Sequence, residues 1–291
     1  MVSFLKHIIK KYFQILWMRS RFSPAVQVAQ RQLFHYYQSE QTKRPDIRLR
    51  DTGFRVFSQF EEDGKLLFIF SQIGFQHGTF IEIGADDGLN SNCANLALNF
   101  QWHGLFVDAR SRSISRGKYF YQRYPNPFGY KPKFVCAKVT RENINTLIGQ
   151  AGFHGEIDLL SIDIDGNDYW IWDALTIVSP RVVVIETHIN FGMRDVVVPY
   201  DAEYEYPGVH PDYHGASPKA MVRLGQNKGY RLIGANLLGF NFIFLKNEEG
   251  ADIFPEVSIE EVLSHPSCEG EQVDPEIWSL AFERPESEAA H

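Results

Sequence analysis

Cysteine is scarce in this chain: Cys93, Cys136 and Cys268 are the only three among 291 residues. None stands in a Cys-x-x-Cys pair, which argues against a disulfide framework or a thiolate zinc site and fits a reducing, cytoplasmic compartment. Long apolar runs are lacking too. The most membrane-like stretch, Met1 to Met18, is interrupted by Lys6, Lys10 and Lys11, which makes it too polar to span a bilayer. No small-residue cleavage site follows it, which argues against a signal peptide. Positive charge is also in deficit. The formal net charge is −7, so the whole chain is no obvious nucleic-acid binder. No internal repeat or low-complexity tract stands out.

What charge there is lies unevenly. Residues 1–45 hold eight Lys/Arg against one Glu, whereas residues 246–291 hold two against thirteen Asp/Glu. A basic helical extension and linker over 1–55, a central domain over 56–246 and an acidic extension over 247–291 follow from this shift. Basic head and acidic tail can pair with each other or meet separate partners. Within the head, Phe4, Leu5, Ile8, Ile9, Tyr12, Phe13, Leu16 and Trp17 recur at helical spacing opposite a basic polar face. Such a helix suits peripheral membrane contact through residues 1–20 and equally suits docking on its own domain.

The centre has a different rhythm. Ser58-x-x-Glu61 reads as a capping box ahead of an apolar helix. Apolar runs near 79–84, 104–108, 133–137, 158–164 and 181–187 alternate with helical segments near 92–100, 111–123, 141–149 and 168–176. Continuous runs such as Val182-Val183-Val184-Ile185 indicate parallel strands buried on both faces. After Glu186 an irregular stretch precedes a helix over Ser217 to Lys228. Two final strands over 229–233 and 240–245, joined by a short link, imply an antiparallel hairpin. The expected fold is α/β, a doubly wound, mostly parallel seven-stranded sheet with a terminal antiparallel hairpin.

The first candidate site follows the first strand. Glu82-Ile83-Gly84-Ala85-Asp86-Asp87-Gly88 places two glycines where the backbone must turn sharply and leave room for a ligand. Asp108 then ends the second strand, where a carboxylate can accept both hydroxyls of a ribose. A dinucleotide loop calls for a third glycine, which is missing here, and Asp86 and Asp87 would repel a pyrophosphate. They suit a cationic ligand such as S-adenosylmethionine. Glu82, Gly84, Ala85, Asp86, Gly88 and Asp108 are therefore candidate cofactor contacts. Ala137, at the end of the third strand beside Cys136, is placed at the adenine edge.

A second group of residues offers acid–base chemistry. Asp163 and Asp165, two apart at the end of the fourth strand, share a face if the chain is extended there. The same period puts Glu186, His188 and Asn190 together on the fifth. Asp163, Asp165, Glu186 and His188 are candidate catalytic groups for deprotonating a hydroxyl, with Asp163 also within reach of the cofactor. Asp165, Glu186, His188 and Asn190 offer ligands for a divalent ion, but no motif fixes that geometry and no metal ligand is assigned. Tyr200, Tyr204, Tyr206, His210, Tyr213 and His214 lie in the irregular stretch, and aromatic faces suit sugar rings.

These pieces resemble, in order, the FkbM-type family of S-adenosylmethionine-dependent methyltransferases. The likeness rests on Ser58-Gln59-Phe60-x-Glu62-Asp63-Gly64, Glu82-Ile83-Gly84-Ala85, Asp163-Ile164-Asp165-Gly166-Asn167-Asp168-Tyr169, Ile185-Glu186 and Gly215-Ala216-Ser217, over about residues 56 to 245. It implies a Rossmann-like class I methyltransferase fold and O-methyl transfer, often to sugars or other polyhydroxylated acceptors. Asp86 stands where the generic class I loop usually has glycine or asparagine. Two other readings stay open. Asp163-x-Asp165 also suits a metal-dependent nucleotide-sugar glycosyltransferase, and the basic head suits a non-catalytic membrane-surface module.

Overall fold

The computed structural model of the chain describes residues 13, 16–40, 47–124, 131–268 and 277. Most of the amphipathic segment 1–18 and most of the acidic tail lie outside the described residues. Among those described, no helix is long and apolar enough to cross a membrane.

Seven strands form one sheet. They are β1 (Thr79–Ile83), β2 (His103–Asp108), β3 (Lys133–Cys136), β4 (Gly155–Ile162), β5 (Val178–Glu186), β6 (Tyr230–Ala235) and β7 (Asn241–Lys246). Their order is β3-β2-β1-β4-β5-β7-β6. The first five run parallel, and β7 is antiparallel to both β5 and β6. This is the class I methyltransferase-like fold that the strand rhythm predicts.

Alternation along the strands makes two cores. Phe80, Phe106, Leu159, Val182 and Val184 face one layer of helices, and Ile81, Ile83, Leu105, Leu160 and Val183 face the other. Successive strand residues point to opposite faces, so continuous apolar runs feed both layers at once. The first layer holds α1 (Pro24–Glu40), α2 (Glu62–Ile73), α3 (Ala94–Asn99) and α4 (Ser111–Tyr121). The second holds α5 (Ile144–Gln150), α6 (Asp168–Ala174) and α7 (Pro218–Asn227).

Helix α1 lies in the basic extension, and its Tyr37 packs edge-on against Phe68 of α2 at 4.9 Å. Phe254 also meets Phe68 edge-on, at 5.7 Å. One detail differs from the sequence expectation. The capping box does not form. The N-cap of α2 is Glu61, and it makes no side-chain cap. Ser58 instead accepts from the Asp63 N–H at 3.2 Å, and the Asp63 carboxylate accepts from the N–H groups of Val56, Phe57 and Ser58. Three backbone donors on one buried carboxylate outcompete a single hydroxyl cap.

The N-terminal ends of the strands are fastened by Asp158. It is fully buried and accepts from the N–H groups of Gln76, His77 and Thr79 at 2.8–3.1 Å, and from Arg181 at 3.0 Å. Burial opposes its charge, but these donors prevail and hold its carboxyl below the ordinary range. The stability it contributes is therefore present above the ordinary carboxylate value of about 3.9 and is lost as pH falls through the lowered folded value. Asp158→Ala should cost about 3 kcal/mol in urea unfolding at neutral pH, because it leaves the N–H groups of Gln76, His77 and Thr79 without an acceptor, while Arg181 keeps its bidentate pair with Glu249. A loss below about 1 kcal/mol would show that water or another acceptor takes up those N–H groups.

The chain winds from β1 outward to β2 and β3, then returns to β4 on the other side of β1. Such a reversal opens a crevice at the carboxyl ends of the two central strands. The candidate residues gather there.

Candidate functional site

The β1 turn begins at Gly84, whose φ is +86°. A Cβ on Gly84 would stand 1.6 Å from the carbonyl oxygen of Asp163. The tips of β1 and β4 are thus in direct backbone contact, and only glycine fits between them. Gly88 (φ +68°) lets the loop pass the Phe106 ring, with Ala85 buried inside it.

Glu82 anchors this loop from beneath. Its buried carboxylate accepts from the Ser91 hydroxyl at 2.6 Å and from the N–H groups of Asn92 and Cys93 at 3.0 and 2.9 Å. Burial still pushes its carboxyl upward. Three loop donors on its carboxylate make Glu82 the residue that holds the turn in place.

The acidic loop is also less available to a cation than the sequence suggests. Arg116 donates to Asp87 at 3.0 Å and to Asp86 at 3.3 Å, and Arg110 stands 3.5 Å from Asp86. Adjacent carboxylates in a partly buried turn need counter-charges, and the two arginines of the β2–α4 segment provide them. Asp86 itself adopts a left-handed conformation, φ +47°.

Asp108 ends β2 and is 5% exposed. It accepts from the Asp86 N–H at 2.8 Å and from the Arg110 N–H at 2.7 Å. The Arg110 guanidinium also grips it through Nε and Nη2, each at 3.0 Å. A guanidinium fork therefore lies where two ribose hydroxyls were expected. Ala137 follows β3 and donates to the Asp108 carbonyl at 3.1 Å, beside the exposed Cys136.

The second turn carries the acids. Strand β4 stops at Ile162, short of the expected 164, and Asp165 takes φ +56°. Asp168 folds this turn by accepting from the N–H groups of Ile164 and Gly166, both at 2.9 Å. The extended-chain argument for Asp163 and Asp165 therefore fails, yet the turn brings them together by another route. Carboxylate oxygens of Asp163, Asp165 and Glu186 all lie within 4.8 Å of one another. Among the described residues no lysine or arginine forms an ion pair with any of the three. Burial first, then the neighbouring carboxylates, pushes Asp163 and Glu186 well above the usual carboxylate range.

His188 does not join them. Strand β5 ends at Glu186 and the chain turns over Ile189–Phe191, so the expected shared face of Glu186, His188 and Asn190 does not exist. The His188 ring packs 4.5 Å from that of His214 and 4.6 Å from that of Phe191. Burial, helped by His214, pushes it down to about 4. It is a neutral imidazole at pH 7, one ring removed from the acids.

The tyrosines of the irregular stretch take different places. Tyr204 lies over Gly166, where a Cβ would come within 2.4 Å of its ring, and its hydroxyl is buried without a partner. Tyr206 is exposed and meets His214 edge-on at 5.6 Å. Tyr200 instead donates to Glu142 at 2.8 Å and accepts from the Arg141 N–H, so it ties the loop down. Arg110, two residues past Asp108, carried the one signal that adjacency offers. A cavity of about 410 Å³ lined by Ser111, Ile114, Ser115, Lys118, Tyr119 and Cys136, among others, lies beside the ends of β2 and β3 and shares no residue with the acid cluster.

No protein-family model matches the chain, and no curated protein matches it. Among solved structures it is similar to a magnesium protoporphyrin IX methyltransferase from Synechocystis PCC 6803 with bound SAM, at 10% identity and a TM-score of 0.35, over 57% of this chain and 69% of that one. It is similar to an O-methyltransferase from Bacillus cereus in complex with SAH, at 14% identity and a TM-score of 0.36, over 58% and 74%. A SAM-dependent methyltransferase from Aquifex aeolicus aligns at 10% identity and a TM-score of 0.35, over 71% and 95%. All three likenesses are distant, and the fold class is defined by the strand order itself.

Proposed function

We propose that this chain is an S-adenosylmethionine-dependent O-methyltransferase acting on a hydroxyl of a carbohydrate, glycolipid or other polyhydroxylated acceptor. The observation that carries the reading is the convergence, at one crevice, of the Gly84 turn, Asp108 at the tip of β2, and the Asp163, Asp165 and Glu186 carboxylates. The motif resemblance to FkbM-type enzymes supports it.

In this reading Asp108 accepts the ribose hydroxyls and Ala137 borders the adenine. The acceptor oxygen attacks the methyl carbon, the C–S bond breaks with its electron pair on sulfur, and S-adenosylhomocysteine leaves. The hydroxyl proton passes to a carboxylate of the acid cluster. His188, neutral and set back behind His214, borders the acceptor side. The exposed ring of Tyr206 offers an apolar face to a sugar.

Calorimetric titration of the full chain tests the cofactor half. S-adenosylmethionine and S-adenosylhomocysteine should bind saturably, and Asp108→Ala should weaken both by tenfold or more, since a charge-assisted contact is worth about 1.5–3 kcal/mol. Arg110→Ala should do the opposite, because it frees Asp108. Saturable binding of a UDP-sugar with Mn²⁺ and none of S-adenosylmethionine would replace this reading with the glycosyltransferase one.

A further inference from the structure

Three acids from two different turns point into one small volume. Asp163 and Asp165 come from the turn after β4 and Glu186 from the tip of β5, with ligand oxygens within 4.8 Å of one another. Elsewhere the described carboxylates of this crevice are matched. Asp86, Asp87 and Asp108 take arginines, and Glu82 takes three loop donors. This trio takes no lysine or arginine, and the backbone N–H of Asp165 on Glu186 is its one donor of that kind; an acid cluster alone does not make a site.

A second observation is independent of the acids. Asn241 opens β7 directly opposite Glu186 in the antiparallel β5–β7 pair, so the two side chains leave the sheet on the same face. It is 3% exposed, and its Nδ2 is fixed by donation to Glu62 at 3.0 Å. Its Oδ1 is buried with no hydrogen-bond partner. A buried amide oxygen of this kind costs free energy unless something accepts its lone pairs. The Tyr204 hydroxyl, over Gly166 on the same turn, is a second buried oxygen without a partner.

We propose that Asp163, Asp165 and Glu186 bind one divalent cation of the Mg²⁺ or Mn²⁺ class, with Asn241 on its inner side. The donor set is entirely oxygen, and no cysteine is near it. Hard oxygen ligands select Mg²⁺, Mn²⁺ or Ca²⁺ over zinc or copper. Three protein carboxylates leave coordination positions for waters or for oxygens of a second molecule, the usual arrangement for Mg²⁺-type sites. Resting on the methyl-transfer reading, this site gives the acceptor class a sharper form. Two neighbouring hydroxyls of a polyol complete the coordination sphere, and the cation lowers the proton affinity of the one to be methylated. That supplies the activation His188 is too far back to give.

The test uses the metal alone with the full chain. Mn²⁺ titrated into the protein, followed by loss of the free-ion electron paramagnetic resonance signal, should show one saturable equivalent. Asp165→Asn and Glu186→Gln should each weaken it tenfold or more, while Glu260→Gln, on an exposed acid of the tail, should leave it unchanged. Melting curves guard against misfolding. Without metal both site variants should melt close to the parent temperature, since each amide keeps the shape of the carboxyl group it replaces. Mn²⁺ should raise the melting point of the parent and not of the variants. No saturable binding up to about 1 mM, the weak end for oxygen-ligand sites, overturns the proposal, and so does binding that survives both variants. S-adenosylmethionine calorimetry on the same sample separates the two readings. Cofactor binding without Mn²⁺ binding removes the metal site and leaves methyl transfer. Mn²⁺ binding without cofactor binding keeps the site and removes methyl transfer.

Discussion

Asp165→Gly should lower methyl transfer by about a hundredfold or more, the scale on which a positioned acid–base group acts, and should at the same time make the protein more stable. Asp165 has φ +56° in the turn after β4, a conformation that costs an ordinary L-residue about 1–2 kcal/mol and glycine almost nothing. Its carboxylate also faces those of Asp163 and Glu186. Against these gains stands the greater flexibility of glycine in the unfolded chain, worth about 0.5–1 kcal/mol. The balance is a gain of about 1 kcal/mol, read as a higher Tm. A turnover assay with any accepted polyol and a melting curve decide the matter together. Retained turnover removes Asp165 from the chemistry. A lower Tm means that its carboxylate makes a native contact stronger than the strain it relieves.

Gly84→Ala should be the most damaging single change at the site. The added methyl would stand 1.6 Å from the Asp163 carbonyl oxygen, and it meets backbone, which cannot rotate aside. Opening that contact parts β1 from β4 at the crevice. The expected cost is about 4 kcal/mol or more, the range reserved for strain and overpacking at special positions, together with loss of cofactor binding. Gly229→Ala is the control. Gly229 has an almost identical φ of +85° but nothing within 4 Å of its Cβ position, so only the backbone penalty of about 1–2 kcal/mol applies. Urea unfolding of both variants isolates the contact. Equal losses would mean that the two strand tips do not press together.

The sheet was legible because its residues leave no choice. Val182 to Ile185 are all fully buried, and only a strand covered on both faces uses four such residues in a row. The turn glycines were legible for a similar reason, since Gly84 and Gly88 follow an apolar run that must stop. Helix α1 was missed because it is polar almost throughout, with Leu33, Phe34 and Tyr37 its main contacts with the core. Its helicity depends on a surface supplied by α2, which lies further along the chain. The site was legible in its acids and illegible in their pairing. Whether Asp108 holds a ribose or Arg110 depends on a side chain two residues away, and spacing does not encode where a long guanidinium settles. Asp163 and Asp165 met Glu186 through a tight turn shaped by Asp168, although a strand period suggested the meeting for a different reason. His188 shows the same limit in reverse, because a period of two holds only while the strand lasts.

The place of β7 has a consequence for how the chain is made. It leaves the ribosome after the six other strands of this sheet, yet it lies inside the sheet between β5 and β6. A nascent chain that has emerged only as far as Ala235 has no strand to cover the open edge of β5, where Val182 to Ile185 expose unpaired backbone groups. Nor has β6 any neighbour to hold it. Assembly of that half of the sheet must wait until Asn241–Lys246 has emerged, and a translational pause before Asn241 leaves an apolar strand edge of the kind chaperones bind.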